Sequence, residues 1–432
     1  MAMADDITDT TDVTDPRDRR DGIGWVTRAI FPDARLRLRV HRGPAATPAG
    51  QRAMARYAVV PSLEHARFLL PLASRRVAAA STIAYNALRP ARVRLNRLAV
   101  GVLAALGGTG LAGMPVLTVS APDGADLREL LLTEELGALL GVPLHAAIGV
   151  RPPDPHHKPT LQLFDDHGRP RGYAKIGWND ATRALARAEA AALSGLPRGG
   201  AGLPAIPRLL RALEWGDRAV TVVEPMPRSV RRISRPDTPR VGAMLAVARR
   251  GGPAAAPEAL GGSAYLAGLA VRAERAGGPI CDLVAALDRR DGATLLEFGD
   301  WHGDWVPWNL GEHRGRLVAW DWENRGAGVP VGFDLAHQAF QTALSLRGLD
   351  AAGAAAHMAG QVRRHGPRAG LGPDQCRAVA DAYLAELWLR TAELAAGGAG
   401  WNPRLHPALL PVLAARLDIR PATRPAVRGA GR

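Results

Sequence analysis

The alternation of hydrophobic and polar positions changes period several times along the chain, and each change marks an element. Short apolar runs at Ala58-Val59-Val60 and Phe68-Leu69-Leu70 predict strands or buried turns. Val77 to Asn86 reads as a helix, and Pro90 interrupts before a second, basic helix. The uncharged stretch from Leu98 to Pro122 has the length of a membrane span, but Gly107-Gly108-Thr109-Gly110 and Pro115 break it. A helix to about Leu106, a glycine turn and a strand near Val116 to Ser120 fit it better. From Leu127 the pattern shifts. Leu127 to Leu140 reads as a helix closed by Gly141-Val142-Pro143. Three candidate strands follow, His145 to Val150, Thr160 to Phe164 and Gly172 to Gly177, with Asp165-Asp166-His167-Gly168 as a turn. Asn179 or Asp180 caps an Ala-rich helix from Ala181 to Leu196. Arg218 to Val223 is one more strand, followed by Glu224-Pro225-Met226-Pro227. The segments 239–289 and 348–417 are mostly helical in pattern.

One helix carries a polar residue on its apolar stripe. Leu185, Glu189, Leu193 and Leu196 fall on one face at spacings of four, four and three. A carboxylate there needs a partner when buried. Lys175, in the preceding strand, is the candidate.

Composition narrows the class. The chain has 432 residues, enough for two or three domains, and the make-up of a soluble globular protein. Its two cysteines, Cys281 and Cys376, support neither a disulfide framework nor a metal cluster. A reducing cytoplasm is the simplest location. Residues 1–22 are rich in Asp and Thr, lack an apolar core and read as a disordered acidic tail. The net charge of +14 is uneven. No acid occurs from His65 to Pro122, where Arg67, Arg75, Arg76, Arg89, Arg92, Arg94 and Arg97 lie. Such a stripe suits an anionic membrane surface or another polyanion, or is simply a solvated Arg-rich face. No specific nucleic-acid recognition is expected.

The chemistry is concentrated between residues 302 and 323. His302-Gly303-Asp304 with Asn309 has the spacing of a kinase catalytic loop. Transfer of a phosphoryl group to a hydroxyl needs an acceptor for the hydroxyl proton, and Asp304 suits that role. It also needs Mg²⁺ against the phosphates, and Asn309 and Asp321 offer the hard oxygen donors that ion prefers. The turn Glu312-His313-Arg314-Gly315 between two apolar runs predicts a hairpin. An antiparallel hairpin would bring Asn309 and Asp321 to one end. A strand lysine paired with a helix glutamate is how kinases aim the lysine at nucleotide phosphates, so Lys175 and Glu189 join the site. The apolar strand running into Glu224 and Met226 suits a hinge whose backbone meets an adenine edge. Five tryptophans crowd this region. Most read as core, and Trp305 is the candidate for stacking on a substrate.

His302-Gly303-Asp304 with Asn309, then Asp321-Trp322-Glu323 and Asp334-Leu335-Ala336, resembles the aminoglycoside phosphotransferase and choline kinase superfamily over roughly residues 127–420. The resemblance implies an α+β, two-lobed protein-kinase-like fold. A small antiparallel-sheet N-lobe would span 127–225 and a mostly helical C-lobe 226–432, with an additional basic α/β unit at 23–121. It implies Asp304 as catalytic base, Asn309 and Asp321 as Mg²⁺ ligands, and Lys175 with Glu189 as the phosphate-positioning pair. Asp334 would order the catalytic loop, and Glu323 would lie near a second metal or the substrate, or face solvent. ATP or GTP is the implied donor and a small hydroxylated molecule (sugar, amino alcohol or glycan intermediate) the acceptor. The segment Arg151 to Pro159 lacks the glycines of a protein kinase phosphate loop, and no dense acidic cluster marks a pocket for a cationic drug. The alternative is a non-catalytic nucleotide-binding or scaffolding protein acting through its Arg-rich N-terminal unit.

Overall fold

The computed structural model describes residues 15–43, 47–84, 91–105, 113–227, 229–235, 237–250, 252–399 and 405–419. The chain divides into two compact units. The first holds the residues up to Ala190 together with Pro207–Val230, and the second holds Ala191–Ile206 and the residues from Arg231 onward.

The first unit is built on a nine-stranded sheet. Its strands are β1 (Arg37–His41), β2 (Gln51–Val60), β3 (Phe68–Pro71), β4 (Val116–Pro122), β5 (His145–Gly149), β6 (Thr160–Phe164), β7 (Pro170–Gly177), β8 (Leu209–Trp215) and β9 (Arg218–Val223). They lie in the order β1-β4-β2-β3-β5-β6-β7-β9-β8, each neighbouring pair antiparallel. Successive side chains on a strand point to opposite faces, so β3 feeds two cores. Leu69 packs with Val59, Leu117, Ile148 and Ile176, under helix α1 (Gly22–Ile30) with its Ile23, Val26 and Ile30. Phe68 and Leu70 pack with Val77, Ala78, Ala104 and Phe164, under helices α2 (Arg75–Ile83) and α3 (Ala91–Ala105).

The segments 23–121 and 127–225, set apart by the sequence pattern as accessory unit and N-lobe, therefore share one sheet. The seam is β3 against β5, with Phe68 opposite Gly149 and Leu69 opposite Ile148. All four residues of β3 are buried, and a strand buried on both faces cannot leave an edge unpaired. Polar ties reinforce the seam. The Trp25 indole N–H donates to the Arg151 carbonyl at 3.0 Å, and Arg218 Nε donates to the Ala29 carbonyl at 3.0 Å.

Other expectations are adjusted in detail. The helix expected over Leu127 to Leu140 is two, Leu127–Leu130 and Leu132–Leu140, parted at an extended Leu131 whose side chain is buried. Of the tail expected over residues 1–22, residues 1–14 lie outside the described residues. Pro16–Asp18 form a 3-10 turn, capped by Asp15, and Arg17 donates to the carbonyls of Phe31, Asp33 and Leu36. The glycine turn expected near residues 107–110 also lies outside the described residues. Among those described, no helix is long and apolar enough to cross a membrane.

The second unit is mainly helical. Leu269, Leu283 and Leu287 form part of its core with Phe333 and Phe340 from helix α4 (Phe333–Ser345) and Tyr383 and Leu384 from helix α5 (Pro373–Leu394). A three-stranded sheet carries the hairpin expected after Asn309. Leu310–His313 pairs with Arg316–Ala319 from Leu310 opposite Ala319 to His313 opposite Arg316.

Candidate active site

The loop from His302 to Asn309 leaves the strand Phe298–Trp301 and enters the hairpin. It is held by groups distant in sequence. Asp334, in the first turn of α4, accepts the amide N–H of His302 at 2.9 Å and that of Gly303 at 3.2 Å, one on each carboxylate oxygen. Arg390 of α5 donates to the Gly303 carbonyl at 2.6 Å. Gly303 itself has φ of +78°, and a Cβ there would lie 1.9 Å from the Asn324 carbonyl oxygen. Only glycine satisfies both conditions. His302 is fully buried, and burial depresses its pKa to about 4. The neutral ring has a defined tautomer: Nδ1 accepts the Asp304 N–H at 3.1 Å, so Nε2 carries the proton and donates to the Trp320 carbonyl at 3.0 Å.

This loop presents Asp304 with both carboxylate oxygens engaged. Asn309 Nδ2 donates to Oδ2 at 2.8 Å and to the Asp304 carbonyl at 3.2 Å. His337 Nε2 donates to Oδ1 at 3.0 Å. The other ring nitrogen of His337 lies 3.1 Å from the Tyr383 hydroxyl. Burial pushes the Tyr383 phenol far above its ordinary value, so it keeps its proton and donates to Nδ1. That fixes the proton of neutral His337 on Nε2, toward Asp304. Burial works to raise the Asp304 carboxyl, but the His337 hydrogen bond and nearby positive charge outweigh it and hold the group below the usual carboxylate range. Asp304 keeps 31% of its side chain exposed.

The hairpin brings the second acid to the same end of the sheet. Trp320 donates its N–H to the Asn309 carbonyl at 3.2 Å, and Asp321 follows directly. Asp321 adopts a left-handed backbone, φ +63° and ψ +59°, which is uncommon for a non-glycine residue and is often found at functional sites. Because Nδ2 of Asn309 is spent on Asp304, its Oδ1 is the atom available to a cation. An amide oxygen and a carboxylate form a hard donor pair. Among the described residues no group of three or more His, Cys, Asp or Glu stands ready to hold a metal. Both are donor types that suit Mg²⁺, which usually takes one or two protein oxygens and completes its shell with water and phosphate.

In the first unit, Lys175 of β7 reaches Glu189 with Nζ 2.5 Å from Oε1. Both are withdrawn from solvent, with 13% and 1% of their side chains exposed. Asn179 caps the helix Asp180–Gly195 that carries Glu189, its Oδ1 accepting the Thr182 N–H at 2.8 Å. At the end of β9, Glu224 donates its amide N–H to the Arg208 carbonyl at 2.9 Å and accepts the Arg208 N–H on Oε1 at 3.0 Å. Met226 is half-buried just beyond it.

The tryptophans correct one expectation. Trp305 is wholly buried and meets the His302 ring edge to face at 5.8 Å, so it packs the loop from within and is closed to a substrate. Trp308 is the exposed member, at 45%.

No protein-family model matches the chain, and no curated protein does. Solved structures do. One is the aminoglycoside phosphotransferase APH(4)-Ia, at 13% identity and a TM-score of 0.43 over 68% of this chain and 99% of that one. Another is the choline kinase LicA from Streptococcus pneumoniae, at 12% identity and a TM-score of 0.44 over 68% and 99%. A glucosamine kinase matches at 16% identity and a TM-score of 0.27 over 64% and 93%. The likeness is loose at those scores.

Asp304, Asn309, Asp321 and Asp334 are thus gathered around one loop, and Lys175 and Glu189 are paired in the other unit. Three participants escape a reading of the sequence: His337, Tyr383 and Arg390. One signal was present for His337. It lies three residues after Asp334 in a helix, and that spacing puts both on one face. Nothing local marks Tyr383 or Arg390, which arrive from a helix some eighty residues downstream of the loop.

Proposed function

We propose that this protein is a phosphotransferase that moves the γ-phosphate of ATP or GTP to a hydroxyl of a small molecule. The observation that carries this reading is Asp304. It is a carboxylate held ionised and oriented on both oxygens, partly exposed, beside an Asn309 whose amide oxygen is left for a cation. In this reading Asp304 accepts the proton of the attacking hydroxyl as its oxygen bonds to the γ-phosphorus and the bond to the β–γ bridging oxygen breaks, releasing the nucleoside diphosphate. Its fixed orientation selects a near-attack geometry for the acceptor. Asn309 and Asp321 would hold Mg²⁺, which when bound supplies charge neutralisation to the phosphates. Lys175, kept extended by Glu189, would place its ammonium on the phosphate oxygens. The amide N–H of Glu224 is engaged by Arg208, so the Glu224 carbonyl and the Met226 peptide are the groups assigned to the adenine edge. The acceptor class is a sugar, an amino alcohol or a glycan intermediate.

Titration calorimetry with ATP and GTP, with and without Mg²⁺, tests the site directly. Wild-type protein should bind nucleotide in a Mg²⁺-dependent manner, and Asp321→Asn should lose that dependence. A folded wild-type protein that binds neither nucleotide would refute the assignment.

A further inference from the structure

We propose that the exposed face of α3 docks on the surface of an anionic phospholipid bilayer. The helix Ala91–Ala105 lies against α2 by a close approach at Gly101, where a Cβ would meet Thr82 Oγ1 at 2.3 Å. Gly101 and Ala104 are buried. That contact decides which face looks outward. Leu95, Leu98 and Val102, at spacings of three and four, are 66%, 46% and 51% exposed. Leu103 at 45% and Ile83 at the end of α2 at 51% widen the patch. Among the described residues, five of the ten large hydrophobic side chains left exposed fall within this short stretch of sequence. Scattered exposed leucines need no explanation, whereas a contiguous stripe on one helix marks an interaction surface.

The charge around the stripe selects the partner. Arg92 and Arg94 are exposed on the first turn of α3, and Arg75 and Arg76 on the first turn of α2. No Asp or Glu occurs between Glu64 and Asp123. Arg97 folds back over the Phe68 ring at 5.0 Å. A surface that is strongly basic and apolar together matches anionic headgroups over acyl chains. Nucleic acid would satisfy the arginines but leave the leucines and valine against phosphate, with no aromatic ring among them for base stacking. Protein interfaces concentrate aromatic anchors, which are also missing from the patch among the described residues. At about 1.5 Å per residue the helix is roughly 22 Å long, short of the ~30 Å hydrocarbon core, so it would lie in the interface plane rather than cross it. The arginine stems can then lie along the acyl boundary while their heads stay among the headgroups.

Co-sedimentation of the full chain with vesicles tests the proposal without nucleotide, so its outcome is independent of the phosphotransfer reading. Phosphatidylcholine vesicles are compared with vesicles of phosphatidylcholine and phosphatidylglycerol, at low and elevated salt. Wild type should pellet with the anionic vesicles and much less with the neutral ones. The pair Arg92→Glu and Arg94→Glu should weaken binding about 25-fold or more, roughly fivefold for each arginine removed from an anionic surface. The pair Leu95→Ser and Leu98→Ser should weaken it about tenfold or more at both salt concentrations. All four positions are exposed, so the variants should keep the wild-type melting temperature. Failure of wild type to pellet with anionic vesicles overturns the proposal, as does binding by both variant pairs at the wild-type level. So does a concentration-dependent dimer in sedimentation velocity that Leu95→Ser and Leu98→Ser dissolve while wild type ignores vesicles.

Discussion

His337 Nε2 donates to Asp304 Oδ1 at 3.0 Å, and the Tyr383 hydroxyl stands 3.1 Å behind the other ring nitrogen. This chain of two hydrogen bonds holds the proposed base from the side opposite Asn309. In the proposed reaction His337 is a positioning residue. His337→Ala should lower kcat by about tenfold to a hundredfold, the scale of a small misplacement of a reacting group, with nucleotide affinity unchanged. Tyr383→Phe, which keeps the imidazole but frees its tautomer, should lose only a few-fold. Steady-state kinetics beside nucleotide calorimetry separates the two readouts. Equal kcat in wild type and His337→Ala would remove His337 from the site.

Asp304→Asn keeps the shape of the side chain and its contact with Asn309 but cannot take a proton. Turnover should fall by about a hundredfold to ten-thousandfold, the usual contribution of a general base. Calorimetric binding of Mg²⁺-nucleotide should survive. Coupled-assay turnover near the wild-type level would contradict the role given to this residue.

The Lys175 and Glu189 pair is nearly dry, and removing the lysine takes the charge partner from the buried Glu189 carboxylate. Lys175→Met should cost about 3 kcal/mol or more of unfolding free energy. Adding Glu189→Gln to it should restore part of that loss while activity stays abolished. Urea unfolding of the two single variants and the double variant measures the coupling. Strict additivity would show that the pair does not interact in solution.

Gly303→Ala should be among the most damaging single-methyl additions in the chain. The new Cβ would stand 1.9 Å from the Asn324 carbonyl oxygen, on a backbone at φ +78°. The loop must shift, carrying Asp304 out of reach of His337. Lower melting temperature together with loss of activity is expected. A fully active, equally stable variant would mean that the loop is set otherwise.

Two buried groups make opposing contributions to stability with pH. His302 has its pKa depressed by burial to about 4, below the ordinary 6.5. Its contribution is present above pH 6.5 and is lost as pH falls through 4, because the unfolded chain binds that proton first. Asp334 is pushed by burial up to about 7 from 3.8, against the two amide hydrogen bonds that favour its charged form. Its contribution is fully present below 3.8 and is lost as pH rises through 7. Asp334→Asn should therefore expose a loss of about 3 kcal/mol between pH 6.5 and 4. His302→Gln should expose a slope of the opposite sign over the same range. Urea midpoints across pH decide this, and parallel profiles for the two variants would exclude the opposition.

The grouping of the candidate site was legible in the sequence because its members are local. Asp304 and Asn309 share one loop, and a short hairpin returns Asp321 to its origin, so spacing alone predicts the cluster. Lys175 and Glu189 were legible for a similar reason. A strand and the helix after it form a local unit, and a carboxylate on an apolar stripe demands a partner. Tertiary structure decided what depends on packing across long separations. The clamp from His337, Tyr383 and Arg390 requires two helices to settle on the loop, and no spacing rule spans that distance. Trp305 reads as a solvent-facing ring until the core closes over it. The first unit shows the same division. The apolar runs at Val59 and Leu69 predicted strands, but only the pairing of β3 with β5 joined segments that look separate along the chain. Local hydrogen bonds and periodicity are written in adjacent residues, whereas strand order and helix docking follow from which buried surfaces fit each other.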